Sequence, residues 1–252
     1  MTETAEETTY TLQIFRGDDE EGEFVEYDVP VQEGMVVLDA IHWVQANKAN
    51  DLAVRWNCKA GRCGSCSMEI DGQPTLACMT RIDEYEPDET IKITPMQSFP
   101  IIKDLVCDVS WNYEVNETIE PFTPQDKEAD EYEYYQEDLE RSREFRKCIE
   151  CFLCQDVCHV IREHDKKESF GGPRYFVRTA ALHFHPEDDA DRTEWLKSEE
   201  GGVELCNITR CCTDVCPEDI VITDNAIIPM KEYLVDNYYD PLRWLWQSVA
   251  GN

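Results

Sequence analysis

Eleven of the thirteen cysteines lie in three groups, and their spacing limits which structures this 252-residue chain can form. The groups are Cys58, Cys63, Cys66 and Cys78; Cys148, Cys151, Cys154 and Cys158; and Cys206, Cys212 and Cys216. The N-terminal sequence MTETAEETTY is polar and acidic, unlike a secretory signal, so we expect a cytoplasmic protein. Thiols stay reduced in that compartment, and cysteines at such short spacings are then typical of metal binding.

The first group has the spacing C-x4-C-x2-C, and Cys78 follows after eleven further residues. This is the spacing of plant-type ferredoxins, which bind a [2Fe–2S] cluster. Gly61 and Gly64 lie in the loop, and positive φ at glycine lets backbone N–H groups approach the sulfurs. A structural zinc site is the alternative, but zinc modules usually contain two short cysteine pairs and this group contains one.

The second group, C-x2-C-x2-C-x3-C, has the spacing of bacterial ferredoxins. In that motif the first three cysteines bind one cluster and the fourth binds another, so a second copy is expected. The segment CNITRCCTDVCP provides it. Cys206, Cys212 and Cys216 occupy its first, third and fourth positions, and Thr209 occupies the second.

Exchange of the fourth ligands between the two copies predicts one complete and one incomplete cluster. Four thiolates for a [4Fe–4S] cluster come from Cys148, Cys151, Cys154 and Cys216. Only three thiolates come from Cys158, Cys206 and Cys212. The hydroxyl of Thr209 is a poor replacement for a thiolate on iron. This site is therefore predicted to hold a [3Fe–4S] cluster.

Two cysteines remain outside these sets. Cys107 has no motif around it, and Cys211 directly precedes Cys212. Cys211 is an alternative fourth ligand for the third cluster, but adjacent side chains usually point apart. We therefore expect Cys107 and Cys211 to be small buried hydrophobic residues.

The pattern of apolar residues predicts an α+β fold in two domains. Strands are expected at residues 10–15, 24–31 and 90–96, a helix at about 36–47, and a hairpin with Asp71-Gly72 at its tip. Further helices are expected near 126–146 and over 226–239. We predict an N-terminal β-grasp domain of the plant-type ferredoxin kind over 1–105. An all-α, two-cluster domain resembling bacterial ferredoxins is predicted over 106–252.

The formal net charge of −31 disfavours nucleic acid and anionic lipid as partners. No apolar run reaches the roughly 18 residues that would span a bilayer. Near the C-terminus, Trp244 and Trp246 are expected either to contact a membrane interface or an anchor subunit, or to cover the core of their own domain.

Three segments together resemble the iron–sulfur subunit of succinate dehydrogenase and fumarate reductase, the enzymes of respiratory complex II. They are CKAGRCGSCSMEIDGQPTLAC, CIECFLCQDVC and CNITRCCTDVCP. The segment GGPRYFVRTA is also similar to a helix start of that family. The resemblance extends from about residue 10 to residue 235.

The resemblance implies an electron-transfer subunit of a membrane-associated succinate:quinone oxidoreductase. Electrons would pass from covalent FAD in a flavoprotein subunit through the [2Fe–2S], [4Fe–4S] and [3Fe–4S] clusters toward quinone. A membrane-anchor subunit would hold the complex on the cytoplasmic side of the cell membrane, and this chain would have no succinate site or catalytic residue. There are three alternatives. The chain could belong to a fumarate reductase that uses the same clusters, it could be the electron-transfer subunit of another flavin-linked oxidoreductase, or it could be a zinc-stabilised interaction protein.

Three residues near the third cluster are of special interest. His159 stands where the family usually has proline, and Asn207 stands where ubiquinone-using members have histidine. Together with Thr209, they are expected to lie beside the cluster or the quinone. The resemblance then implies a different acceptor, such as menaquinone or a haem or other redox centre in the anchor.

Overall fold

The computed structural model describes residues 8–128, 135–239 and 241. The chain divides into two compact units, Met1–Ser110 with Ile149–Val157, and Trp111–Cys148 with Cys158–Asn252. The boundary predicted between residues 105 and 106 falls between two paired strands of the first unit. The segment Ile149–Val157 also belongs to the first unit, although it lies far along the chain.

The described part of the first unit is built around a mixed β-sheet and a helix of three turns, and the segment Ile149–Val157 adds one helical turn. Its elements are β1 (Thr8–Gly17), β2 (Gly22–Val31), α1 (Val37–Asn47), β3 (Ser67–Ile70), β4 (Gln73–Leu76), β5 (Thr90–Thr94), β6 (Ile101–Lys103) and β7 (Val106–Cys107). The main sheet has the order β2-β1-β5-β3-β4, and β6 pairs with β7. Only the β1–β5 pair is parallel in this sheet.

Alternating side chains give the sheet its buried face. The fully buried residues alternate along each strand: Leu12 and Ile14 in β1, and Ile91 and Ile93 in β5. Every second side chain of a strand points to the same face. Helix α1 covers this face with Leu38, Ile41 and Val44, which are also fully buried. Their spacing of three residues places them on one face of the helix.

The hairpin of β3 and β4 turns at the predicted tip. Asp71 and Gly72 have φ of 49° and 76°. Positive φ at both central residues is the requirement of the type I′ turn that matches the twist of a hairpin. The hairpin places Cys66 just before β3 and Cys78 just after β4.

The remaining helices are short. In chain order they are α2 (Ser110–Thr118), α3 (Gln136–Phe145), α4 (Leu153–Asp156), α5 (His159–Arg162), α6 (Pro173–His183), α7 (Thr193–Lys197), α8 (Cys211–Asp214) and α9 (Ile228–Leu234). Turns of 3₁₀ helix lie at Ile82–Glu84 and Val203–Leu205, and π-helical turns at Ile222–Ile227 and Val235–Tyr239 flank α9. The α+β class is confirmed, with a sheet domain followed by a helical one.

Two predicted helices are observed with changed bounds. The one expected near 126–146 is α3, which covers only its second half; residues 129–134 lie outside the described chain. The one expected over 226–239 is α9 with its two π-helical flanks. Trp244 and Trp246 also lie outside the described residues, so their expected role is untested.

The segment Ile149–Val157, which contains α4, is held by buried contacts of the first unit. The N–H of Ser98 donates to the Asp156 carboxylate at 2.9 Å, and the Ser98 hydroxyl donates to the Asp156 carbonyl at 2.9 Å. Both residues are buried. Phe152 packs edge to face on Phe99, with ring centroids 6.4 Å apart. These long-range contacts explain why the segment joins the first unit.

Arg192 organises the loop between α6 and α7 in the second unit. Its guanidinium donates to the carbonyls of Glu120 and Pro121, each at 2.9 Å, and pairs with the Asp188 carboxylate at 2.9 Å. The side chains of both ion-pair partners are almost completely buried. A buried charge of this kind needs every donor to be satisfied, since the interior cannot solvate it.

Within the described residues, no helix combines the length and the apolar character that a membrane crossing requires.

Arg192→Met should destabilise the second unit. The substitution leaves the Asp188 carboxylate buried without its cation, which costs about 3–5 kcal/mol in the free energy of unfolding. The effect would be measured as a lower midpoint of thermal unfolding. Arg81→Met is the matched control, because its ion pair with Asp83 is exposed and such pairs contribute little. Equal midpoints for the two variants would contradict this account of Arg192.

Candidate iron–sulfur cluster sites

The four cysteines of the first group converge as two pairs. Cys58 and Cys63 lie in the loop between α1 and β3, and their side chains are in hydrogen-bonding contact. Cys66 and Cys78, at the two ends of the hairpin, form a second contact. Cys63 and Cys66 also interact electrostatically, so the two pairs lie near each other. Cys58 is exposed, whereas Cys66 and Cys78 are buried.

Backbone N–H groups of the loop point at these sulfurs. Ala60 and Arg62 donate to Sγ of Cys58 at 3.4 and 3.3 Å, and Gly61 donates to Sγ of Cys78 at 3.3 Å. Hydrogen bonds of this kind stabilise negative charge on sulfur and tune the potential of a cluster. The donor set therefore fits an iron–sulfur cluster.

Gly61 and Gly64 have φ of 65° and 67°, as their predicted role requires. A Cβ atom on Gly64 would lie 2.5 Å from the Cα of Cys151, which belongs to the same unit. A Cβ atom on Gly61 would lie 2.9 Å from the sulfur of Met79. Gly64 thus permits a backbone-to-backbone approach that a larger residue would prevent.

Burial and hydrogen bonding act in opposite directions on this group. Burial raises the pKa of the Cys66 thiol to about 12. At Cys63 burial also acts to raise the pKa, but hydrogen bonds from Ser65 and Cys58 outweigh it and lower the pKa to about 7. Metal binding deprotonates thiols, so a metal centre would supply the stabilisation that a Cys66 thiolate lacks.

The two C-terminal motifs share an unusual backbone conformation around their second ligand position. Positive φ occurs at Glu150 (56°) and Phe152 (62°) in the first copy, and at Ile208 (62°) and Arg210 (68°) in the second. Non-glycine residues rarely adopt this left-handed conformation. A one-turn helix follows in each copy, α4 and α8. The match supports the alignment that places Thr209 where the first copy has Cys151.

The ligands predicted for the second cluster fall in both units. Within the second unit, Cys216 interacts electrostatically with Cys148, although burial is the main reason why the pKa of Cys216 is raised. Within the first unit, Cys151 and Cys154 are both buried. The assignment of these four cysteines to one cluster stays a prediction.

The three cysteines predicted to bind the third cluster lie together in the second unit. Cys158 interacts electrostatically with Cys206, and Cys212 interacts with both of them. Burial raises the pKa of Cys158 to about 11 and that of Cys212 to about 12. The N–H groups of Val160 and Ile161 donate to the sulfur of Cys158. This arrangement of thiols and donors also fits a cluster.

Cys107 and Cys211 differ in their surroundings. Cys107 is buried, as expected, and its thiol lies 3.5 Å from the carbonyl oxygen of Met96. The same expectation for Cys211 is wrong, because Cys211 is only half-buried. It interacts electrostatically with the three cysteines of the third group, Cys158, Cys206 and Cys212. Arg210 is left-handed and α8 begins at Cys211, so the alternation of adjacent side chains does not apply.

Thr209 links Cys211 to His159. Its hydroxyl lies 3.3 Å from Sγ of Cys211 and 3.5 Å from Nδ1 of His159. Nε2 of His159 is shielded from solvent and has no hydrogen-bond partner among the described residues. Asn207, the other residue predicted at this site, is exposed.

In the described part of the chain, no three His, Cys, Asp or Glu side chains meet closely enough to hold one metal ion.

Comparisons with known proteins match both halves of the chain. Residues 11–114 match a 2Fe-2S iron-sulfur cluster binding domain, and residues 144–220 match a 4Fe-4S dicluster domain. A chain of the Mycobacterium smegmatis Sdh1 complex in the apo form has a TM-score of 0.89 and 56% identity; the match covers 93% of this chain and 98% of that one.

Two curated relatives are fumarate reductase subunits. The fumarate reductase iron-sulfur subunit of Escherichia coli O6:H1 is 30% identical over 83% of this chain and 87% of its own length. A fumarate reductase (CoM/CoB) polypeptide of Methanothermobacter marburgensis is 30% identical over 87% of this chain. The chain spans less than half the length of the methanogen relatives that it matches, 42% in this case.

The cysteine groups, the order of the two cluster-binding domains and the extent of these matches agree with one another. The chain belongs to the family of iron–sulfur subunits of succinate dehydrogenase and fumarate reductase.

Proposed function

We propose that the chain is the electron-transfer subunit of a membrane-associated succinate:quinone oxidoreductase. Its partners are a flavoprotein subunit that carries FAD and a membrane-anchor subunit on the cytoplasmic side of the membrane. Electrons pass through [2Fe–2S], [4Fe–4S] and [3Fe–4S] clusters toward quinone. The observation that carries the proposal is that backbone N–H groups donate hydrogen bonds to grouped cysteine sulfurs, both in the first loop and at Cys158.

In the first site, each cysteine pair binds one iron. This division follows from two side-chain contacts, one between Cys58 and Cys63 and the other between Cys66 and Cys78. The N–H groups of the loop stabilise the charge that an added electron places on the sulfurs. Because Cys58 is exposed, an electron donor can approach this edge of the site closely.

In the second and third sites, the two motif copies exchange their fourth cysteines. The interaction of Cys216 with Cys148 supports the exchange in one direction, and the interaction of Cys158 with Cys206 supports it in the other. Thr209 occupies the position of the missing thiolate, which favours a three-iron cluster. His159 contributes a donor: if Nδ1 accepts from the Thr209 hydroxyl, Nε2 carries the hydrogen and is free to donate toward the cluster.

Succinate oxidation is favoured over fumarate reduction by the comparisons. The matched chain at 56% identity comes from a complex named Sdh1, whereas the relatives named as fumarate reductases are 30% identical. Reduction of fumarate through the same clusters is the second candidate, and the different residues at His159 and Asn207 favour an acceptor other than ubiquinone.

The chain itself is not expected to bind the dicarboxylate. A cavity of about 540 Å³ beside α1 is lined by ten residues, which include Glu33, Asp39 and His42 but no lysine or arginine. Dicarboxylates are recognised mainly by arginine and other cationic donors. The acids of this cavity would repel succinate, so this cavity is not proposed as a dicarboxylate site.

The purified complex should contain about nine non-haem iron atoms per copy of this chain, since the three clusters require two, four and three. Oxidised protein should show the low-temperature EPR signal of a [3Fe–4S] cluster, and dithionite-reduced protein should show a [2Fe–2S] signal. Cys78→Ser should remove the [2Fe–2S] signal and leave the [3Fe–4S] signal. Cys107→Ser is the matched control and should retain all signals and all iron. Zinc in place of iron would refute the proposal.

Thr209→Cys should convert the third cluster to [4Fe–4S], because it restores the thiolate that the aligned position lacks. The oxidised-state EPR signal should disappear and a further signal should appear after reduction. Thr209→Ser, which retains a hydroxyl, should keep the [3Fe–4S] signal. If the cysteine variant kept that signal as well, position 209 would not face the cluster.

The direction of catalysis can be measured on the complex purified through an affinity tag on this chain. We expect a co-purified flavoprotein that reduces an artificial electron acceptor with succinate. A complex that reduces fumarate but fails to oxidise succinate would support the second candidate. A complex that lacks both activities would point to another flavin-linked oxidoreductase.

A further inference from the structure

The third cysteine group contains one sulfur more than the proposed three-iron cluster needs. Sγ of Cys211 lies 3.3 Å from the hydroxyl of Thr209, and Thr209 occupies the position of the missing ligand. If the three-iron cluster forms here, the extra thiol would lie beside the corner where a fourth iron would bind.

Comparison with the first motif copy shows that Cys211 is less buried than the core residue at the aligned position. The aligned residue there is Leu153, which is 1% exposed and packs in the core. Cys107, the other cysteine outside the motifs, is 4% exposed. Cys211 is half-buried instead, and it lies in the same group as Cys158, Cys206 and Cys212.

The segment that precedes Cys211 is exposed in the chain by itself. The loop that precedes Cys211 consists of four exposed residues, Asn207, Ile208, Thr209 and Arg210. The left-handed conformations of Ile208 and Arg210 bring this loop back toward α8. Where no partner subunit covers this segment, a hydrated metal ion can reach the corner without unfolding of the core.

We propose that Cys211 is a reserve ligand, whose thiolate binds a fourth iron and converts the third cluster from [3Fe–4S] to [4Fe–4S]. This inference rests on the proposed function, because it presumes the three-iron cluster. Cys158, Cys206 and Cys212 remain bound to the other three irons.

The conversion is balanced by one electron and one ferrous ion. A one-electron reductant takes the [3Fe–4S] core from charge +1 to charge 0, and Fe²⁺ then adds to give a [4Fe–4S] core of charge +2. A bond forms between this iron and Sγ of Cys211. The thiol proton leaves past the exposed Thr209 hydroxyl to water. Because cluster type is one determinant of reduction potential, iron supply would regulate electron flow through the last cluster.

The test uses the complex purified with this chain and observes the cluster itself. Oxidised protein gives the starting [3Fe–4S] EPR signal. The sample is then reduced with dithionite under argon, incubated with ⁵⁷Fe²⁺, desalted, and returned to the oxidised state with a mild one-electron oxidant before the second spectrum. The wild type should lose the oxidised-state signal, and Mössbauer spectra should show about one ⁵⁷Fe per chain in a [4Fe–4S] cluster. Cys211→Ala should keep the [3Fe–4S] signal and take up no label. Cys107→Ala is the matched control and should behave as the wild type.

Two results would overturn the inference. One is a wild type that keeps its signal after incubation with iron. The other is a Cys211→Ala variant that converts as the wild type does, since water or the Thr209 hydroxyl would then be the fourth ligand. If alanine prevents cluster assembly, Cys211→Ser serves in its place, because it preserves the size of the side chain. Absence of the starting signal in the wild type would instead refute the proposed third cluster.

Discussion

Burial of cysteine sulfur opposes the charge that these sulfurs must carry when they bind metal. Burial raises the pKa of Cys66 and Cys212 to about 12 and that of Cys158 to about 11. At neutral pH these groups are therefore neutral thiols unless a metal binds them. Cluster insertion would release their protons and add its binding free energy to folding. The cysteine loops would thus gain stability from a bound cluster, while the β-sheet of the first unit has an apolar core of its own.

Backbone strain at the two C-terminal motifs supports the same coupling. Glu150, Phe152, Ile208 and Arg210 all adopt left-handed conformations. Such a conformation costs about 1–2 kcal/mol for each non-glycine residue, and it is especially unfavourable for β-branched Ile208. Neither motif contains a glycine that would relieve this cost. Repetition of the strain at aligned positions indicates that ligand geometry, rather than local preference, determines the conformation.

Local patterns in the sequence were sufficient to predict most of the first unit. The strands, α1 and the Asp71-Gly72 turn depend on alternation and on φ preferences, which are properties of short segments. The association of Ile149–Val157 with that unit was not predictable, because it depends on Ser98 and Gly64, which are remote in sequence. Likewise, the position of Cys211 depends on the left-handed Arg210, and its side chain gives no sign of that conformation.

The spacing of the cysteines assigns the sulfurs to three groups, but it could not predict their local electrostatics. The donors to these sulfurs are backbone N–H groups of Ala60, Gly61 and Arg62, and almost every residue carries such a group. Only the fold of the loop directs them at Cys58 and Cys78. Orientation of this kind is a tertiary property. For the same reason, the relative reduction potentials of the sites cannot be derived from the cysteine pattern alone.

The acidic composition acts at longer range than these donors. An added electron increases the negative charge of a chain with a formal net charge of −31, and this charge opposes reduction at every site. Salt screens such interactions beyond about 10 Å at 0.1 M ionic strength, whereas an N–H group in contact with sulfur is hardly screened. The contacts at the sulfurs should therefore dominate the potential of each cluster. The net charge instead affects which protein surfaces can approach and how fast they associate. The docking surface of any partner subunit should therefore be less acidic than this chain.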